Sequence, residues 1–188
     1  MLFRSGTATF PDKNVGTART VTASGITLTG TDAGNYTQNT TATTTANITA
    51  RSLAVTITAS NKTYDSSTAA SVTYADNRIA GDVFTVSGTA TFATKTIGTG
   101  KTVTATGITL TGTDAGNYTQ NTTTTASANI ISRSLSVTAT AANKTYDRTT
   151  AASVSLSDNR VSGDTVSVTY STSTFADKTV GTGKTVTV

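Results

Sequence analysis

The chain repeats itself at a spacing of 82 residues, and this constrains its fold more than any other feature. The decapeptide Gly30–Asn39 recurs word for word at Gly112–Asn121. Asn61-Lys62-Thr63-Tyr64-Asp65 recurs at Asn143–Asp147, Phe10 matches Phe92, and Arg51-Ser52-Leu53 matches Arg133-Ser134-Leu135. Phe92 and Phe175 are 83 apart, so the third copy carries one inserted residue between Asp164 and Phe175. One complete copy spans 51–132; residues 1–50 match its C-terminal part and 133–188 its N-terminal part. The chain is therefore read as a piece of a longer array that starts and stops inside copies. A unit of this size has room for its own core, unlike solenoid repeats of about 20–45 residues that bury their faces only against neighbours. The junction Asn129-Ile130-Ile131-Ser132-Arg133-Ser134-Leu135 has no Gly or Pro, so one copy is expected to run almost directly into the next, as a stiff rod rather than a flexible string.

Within the unit, apolar and polar residues alternate with a period of two. Leu53, Val55, Ile57 and Ala59 share one face; Ala70, Val72 and Tyr74 another; then follow Phe84 and Val86 in a run to Phe92, Val103 with Ala105, Ile108 with Leu110, the polar stretch Tyr118–Thr122, and Ala126, Ala128 and Ile130. That gives about seven short strands, with turns at Asp76-Asn77, Gly81-Asp82, Gly98-Thr99-Gly100 and Asp114–Asn117. The expected class is all-β: tandem small sandwich modules, immunoglobulin-like. Asp114-x-Gly116-x-Tyr118, with its copy Asp32-x-Gly34-x-Tyr36, has the form of a tyrosine corner, in which a Tyr opening a late strand bonds backbone a few residues upstream.

Composition removes most chemistry. There is no Cys, His or Trp, all ten acidic residues are Asp, and Thr alone is about a quarter of the chain. Triads built on His, thiolate nucleophiles, zinc sites of imidazole and thiolate, and disulfides are excluded. The 14 basic residues are spread thinly, giving a net charge of +4 without a basic run, so no nucleic-acid partner is expected. No apolar stretch reaches the ~20 residues of a membrane-spanning helix, so no membrane insertion is expected in this segment.

Asn-Lys-Thr-Tyr64-Asp65, then Ala-Gly81-Asp82, then Phe92 with Ile97-Gly98-Thr99-Gly100-Lys101-Thr102-Val103, then Gly112-Thr-Asp114-Ala-Gly116-Asn117-Tyr118-Thr119 resemble, in this order, the YDG-type repeat. Such repeats occur in large bacterial surface and secreted adhesin-like proteins, and related modules are called mostly-β-grasp repeats. The resemblance implies a grasp-like sheet as the rival fold, an extracellular or cell-surface location, and a stalk or spacer role without catalytic residues. The Gly of the naming tripeptide is Ser66 in the second copy and Arg148, after Tyr146 and Asp147, in the third. Because Gly alone adopts a positive φ without penalty, a different turn type is expected there.

Other motifs yield structural readings. Gly98-Thr-Gly100-Lys101-Thr102 ends like a phosphate-binding loop, but Lys95 stands where that pattern needs Gly, and a strand follows. Asp76, Asp82 and Asp114 fall in separate turns, without the alternating spacing of a calcium loop, and are read as turn caps; calcium at copy junctions is the alternative. Thr102 with Thr104, Thr109 with Thr111 and Thr56 with Thr58 suggest outward-facing rows. The expected function is a non-catalytic spacer in an adhesin, without cofactor or metal. Its partners are neighbouring repeats, while other domains of the parent protein reach a host or surface glycan or protein. The alternative is a glycan- or ice-binding module using Thr and Tyr faces.

Overall fold

The computed structural model describes residues 7–188. Among them the chain is all-β, in several small sheets, as the alternation requires. The first copy supplies β1 (Ala8–Thr9), β2 (Gly16–Ser24) and β3 (Thr41–Ile48). The complete copy supplies β4 (Arg51–Leu53), β5 (Val55–Ala59), β6 (Lys62–Thr63), β7 (Val72–Asp76), β8 (Thr85–Phe92), β9 (Gly98–Thr111), β10 (Tyr118–Gln120) and β11 (Thr123–Ile131). The third supplies β12 (Val137–Ala141), β13 (Val154–Asp158), β14 (Thr174–Phe175) and β15 (Val186–Thr187). A single 3-10 turn, Ala33–Asn35 and again Ala115–Asn117, sits inside each repeated decapeptide.

The chain divides into two compact units that do not follow the sequence copies. One takes residues up to Ser60, Ala69–Phe92 and Thr102–Ser127; the other takes Asn61–Thr68, Ala93–Lys101 and Ala128–Val188. Each unit thus contains residues of two consecutive copies.

In the first unit, β1, β2 and β3 form an antiparallel sheet, with Ala8 opposite Ala23 and Ser24 opposite Thr41. β5 and β7 pair antiparallel from Val55–Asp76 to Ala59–Val72. β4 pairs parallel with β10, Arg51 opposite Tyr118 and Leu53 opposite Gln120. This joins the opening strand of the complete copy to a late one, a pairing that local alternation does not announce. β8 pairs antiparallel with β9, and β11 lies on the other side of β9. The core follows the alternation: Leu53, Val55 and Ile57 are buried while Thr56 and Thr58 face water. Phe84, Ala90, Phe92, Val103, Ala105, Ile108 and Tyr118 complete it.

The stretches around Val103 and Ile108 are one strand rather than two. The register of β8 against β9 shifts between Ser87 and Thr89, and Gly107 takes φ 61°. This is a β-bulge: one extra residue in β9 moves the inward face from odd to even positions. Val103, Ala105 and Ile108 are therefore all buried despite their mismatched parity. Gly98–Gly100, expected as a turn, instead opens β9, and the hairpin loop precedes it at residues 93–97. Gly112 marks a close approach. At φ +143° a Cβ there would lie 2.6 Å from the Phe84 Cα and 2.7 Å from the Val83 carbonyl oxygen.

In the second unit, β6 pairs parallel with the end of β11, Lys62 opposite Ile130, and Ala128 and Ile130 are buried. β12 pairs antiparallel with β13, and β14 with β15. Leu135 and Val137 stand 40% and 43% exposed.

Candidate functional site

Of the polar residues singled out in the complete copy, Asp82 and Asp114 gather near Tyr118. The 3-10 turn Ala115–Asn117 delivers Tyr118 into β10, where β4 covers it and leaves it 7% exposed. Its ring packs against Phe84 at 5.1 Å between centroids, tilted by 55°. Its hydroxyl accepts a bond from the Ile79 backbone N–H at 3.0 Å and donates to the Asp82 carboxylate at 2.6 Å. The tyrosine corner is therefore replaced by a longer-range device. The partners lie 36 and 39 residues upstream, because the parallel β4–β10 pairing turns the ring toward the Ile79–Asp82 loop instead of its own turn. Gly81, at φ 96°, shapes that loop, closed by Asp82 N–H on the Ile79 carbonyl at 3.2 Å. Burial, and then the bonded Asp82, push the Tyr118 phenol above its ordinary value.

Asp114, with Gly116 in the turn after it, binds the same loop from the other side. Its carboxylate accepts the Val83 N–H at 2.9 Å, and the residue is 5% exposed. Lys13, a residue of the first copy, bridges the two carboxylates: its ammonium stands 2.8 Å from Asp82 and 2.6 Å from Asp114. The lysine, then the Tyr118 hydroxyl, hold Asp82 below the usual carboxylate range; the lysine, then the Val83 N–H, do so for Asp114. The neighbouring Val15 N–H donates to the Asn117 side chain at 2.9 Å. Lys13 carries a signal that motif reading passes over: Lys recurs at its counterparts Lys95 and Lys178 while the residues beside it change.

Arg78 is a second residue that motif reading misses. It clasps Asp76 through two guanidinium nitrogens at 2.8 and 2.6 Å, donates to the Phe84 carbonyl at 2.6 Å, and lies 3.8 Å over the Phe84 ring. Asp158 and Arg160 repeat the clasp in the third copy, and the bonded arginine holds Asp158 at about 2. The Asp76-Asn77 turn is thus a cap for a chain reversal, with Arg78 N–H on Asp76 at 3.0 Å.

The Tyr64-Asp65-Ser66 turn keeps the left-handed conformation although Gly is replaced: Ser66 and Arg148 both have φ 65°. The expected change of turn type does not occur. Asp65 holds the bend by accepting the Ser67 N–H at 2.9 Å and the Lys62 ammonium at 2.7 Å. Asp147 does the same with Thr149 at 2.9 Å and Lys144 at 2.8 Å. These contacts, the lysine foremost, hold each carboxyl at about 2. The Tyr64 hydroxyl donates to Asp164 of the third copy at 2.9 Å. Lys101 of the phosphate-loop-like motif is engaged by Thr94 at 2.6 Å and Thr96 at 3.3 Å, while Gly100 N–H donates to Asn129 at 2.8 Å.

The remaining motif residues do not assemble alike. Asp32, Gly34 and Tyr36 are exposed, Tyr36 by 70%, and Tyr146 is 55% exposed. In the third copy a cleft of about 750 Å³ opens beside Lys144, Phe175 and Lys184. Phe92, the counterpart of Phe175, is 2% exposed. Among the described residues no three acidic side chains converge to hold a metal ion. No helix among them is long and apolar enough to cross a membrane.

A family model described as the YDG domain matches residues 1–46, 49–126 and 131–188. The chain belongs to the YDG domain family. No curated protein and no solved structure matches it. The three stretches matched by the YDG model leave only residues 47–48 and 127–130 between them. Tyr64 with Asp65, and Tyr146 with Asp147, are the family's naming residues in the second and third copies.

Proposed function

We propose that this YDG array is a non-catalytic stalk of a large bacterial cell-surface or secreted adhesin, holding a binding region away from the cell. The observation that carries the reading is direct bonding between consecutive copies, Lys13 on Asp82 and Asp114, and Tyr64 on Asp164. Copies joined by side chains as well as by chain, with β11 ending at Ile131 and β12 starting at Val137, suit a spacer that transmits position. The gathered carboxylates point the same way: Asp82 and Asp114 are taken up by Lys13, Tyr118 and a backbone N–H. The partners are then the neighbouring repeats, and the adhesin's ligand belongs to other domains. The Thr rows offer little to a glycan or ice surface, because the bulge at Gly107 puts Thr102 and Thr109 out of step.

The test is replacement. Exchanging the repeats in the parent protein for an unrelated rigid rod of equal length should preserve adhesion, whereas deleting them should reduce it. Adhesion lost on exchange, together with binding of the purified 188-residue chain to a glycan array, would make the repeats the binding element.

A further inference from the structure

The two bonds between copies end on corresponding carboxylates. Lys13 belongs to the first copy and reaches Asp82 of the second; Tyr64 belongs to the second and reaches Asp164 of the third. Asp82 and Asp164 are 82 residues apart, each in the same Gly-Asp turn. In both places the donor lies in one copy and the acceptor in the next. We propose that the signature tyrosine and the hairpin lysine of each repeat form a two-pronged latch on the Gly-Asp carboxylate of the repeat that follows it.

Each junction displays one prong directly. At the first, Lys13 takes Oδ1 of Asp82 while Tyr118 takes Oδ2. A carboxylate offers about four lone-pair directions, so Oδ1 retains room for a second donor. At the second, Tyr64 takes Oδ1 of Asp164, and the Ser66 hydroxyl stands 3.5 Å from the same oxygen. Lys95, the counterpart of Lys13, donates to that Ser66 hydroxyl at 3.1 Å, one group away from the carboxylate. Both prongs of the second copy thus converge on Asp164. The acceptor is prepared by its own repeat, since Tyr118 fixes Asp82 and the Val83 N–H fixes Asp114. The naming tyrosine is then a contact to the next repeat rather than a core residue of its own. Tyr64, bonded to Asp164, is half-buried, whereas Tyr146 is 55% exposed. The latch holds whatever the array is for, and its test reads coupling between copies rather than adhesion.

The test is a double-mutant cycle in the 188-residue chain with Tyr64→Phe, Asp164→Asn and the pair, and Tyr146→Phe as the internal control. Thermal unfolding is followed residue by residue over 133–188. Each single change at the latch should lower the midpoint there by about 2–4 °C. The pair should lower it no further than the larger single change, and Tyr146→Phe should leave it in place. Lys13→Met with Asp82→Asn, read over the first copy, tests the other prong and should be equally non-additive. Additive effects in both cycles, or a Tyr146→Phe shift as large as that of Tyr64→Phe, would overturn the latch and return the tyrosine to its own repeat.

Discussion

Tyr118 and Tyr36 lie in identical decapeptides, yet the first is 7% and the second 70% exposed. Their local backbone is the same: each follows a three-residue 3-10 turn, and each donates its N–H to the Ala three residues before it, at 3.2 Å for Tyr36. What differs is the long-range partner. β10 has β4 beside it and the Ile79–Asp82 loop above its tyrosine hydroxyl. Leu53 and Leu135 make the same comparison at the other end of the repeat, 1% against 40% exposed. The ten-residue motif encodes the turn, and its meeting with distant parts of a repeat makes it a core element. Burial in this chain belongs to the assembled repeat, not to the motif.

The largest expected contrast comes from the leucines. Leu53→Ala should cost about 2–5 kcal/mol by removing buried methyl groups and leaving a cavity. Leu135→Ala, at a site already open to water, should cost about 1 kcal/mol or less. Denaturant unfolding of the two variants checks this, and equal costs would break the comparison.

Gly112 and Gly30 come next. Both sit at positive φ, so an Ala at either carries about 1–3 kcal/mol of backbone strain. Gly112→Ala adds the clash with the Phe84 backbone, whereas a Cβ at Gly30 meets nothing within 4 Å. Gly112→Ala should therefore be clearly the worse of the two in thermal unfolding, and parity would mean that Phe84 yields.

Tyr118→Phe should lower the unfolding midpoint by leaving the Ile79 N–H and Asp82 short of a partner. Tyr36→Phe should do nothing measurable. Tyr74 sharpens this pair from the opposite side: its hydroxyl is buried without a partner, so Tyr74→Phe should be neutral or mildly stabilising.

A smaller effect concerns acid. Asp65, Asp147, Asp158 and Asp177 have folded values of about 2, below the unfolded 3.8. Depressed carboxyls contribute stability that is whole above about pH 4 and is lost as pH falls through about 2. The denaturant midpoint should be level from pH 7 to 5 and should decline from 4 to 2. Removing the lysines that pair with Asp65 and Asp147, by Lys62→Met and Lys144→Met, should shallow that decline.

The strand faces are where the sequence and the structure agree most closely. Alternation placed Leu53, Val55 and Ile57 inward because a strand has a strict period of two. Asp76 caps its turn because an Asp side chain reaches the backbone N–H two residues on, as it does to Arg78, whereas Asp82 and Asp114, expected as turn caps too, bond the Tyr118 hydroxyl and the Val83 N–H instead. Local pattern could not show that Gly107 is a bulge inside one strand, since parity resets only against β8. It could not show the parallel β4–β10 pairing, whose strands are separated by most of a repeat. The site was legible in its residues but not in its partners. Tyr118, Asp82 and Asp114 were visible as repeated motifs; Lys13 stands in a different copy and became evident only in contact with them.

The central claim, that identical segments are ordered by the repeat around them, is tested most directly by residue-resolved hydrogen exchange on the intact chain. The amides of Tyr118–Gln120, paired to Arg51–Leu53, should be protected close to the global limit, while those of residues 36–38, with the same sequence and no strand partner, should exchange far faster. Equal protection of the two segments would contradict the account.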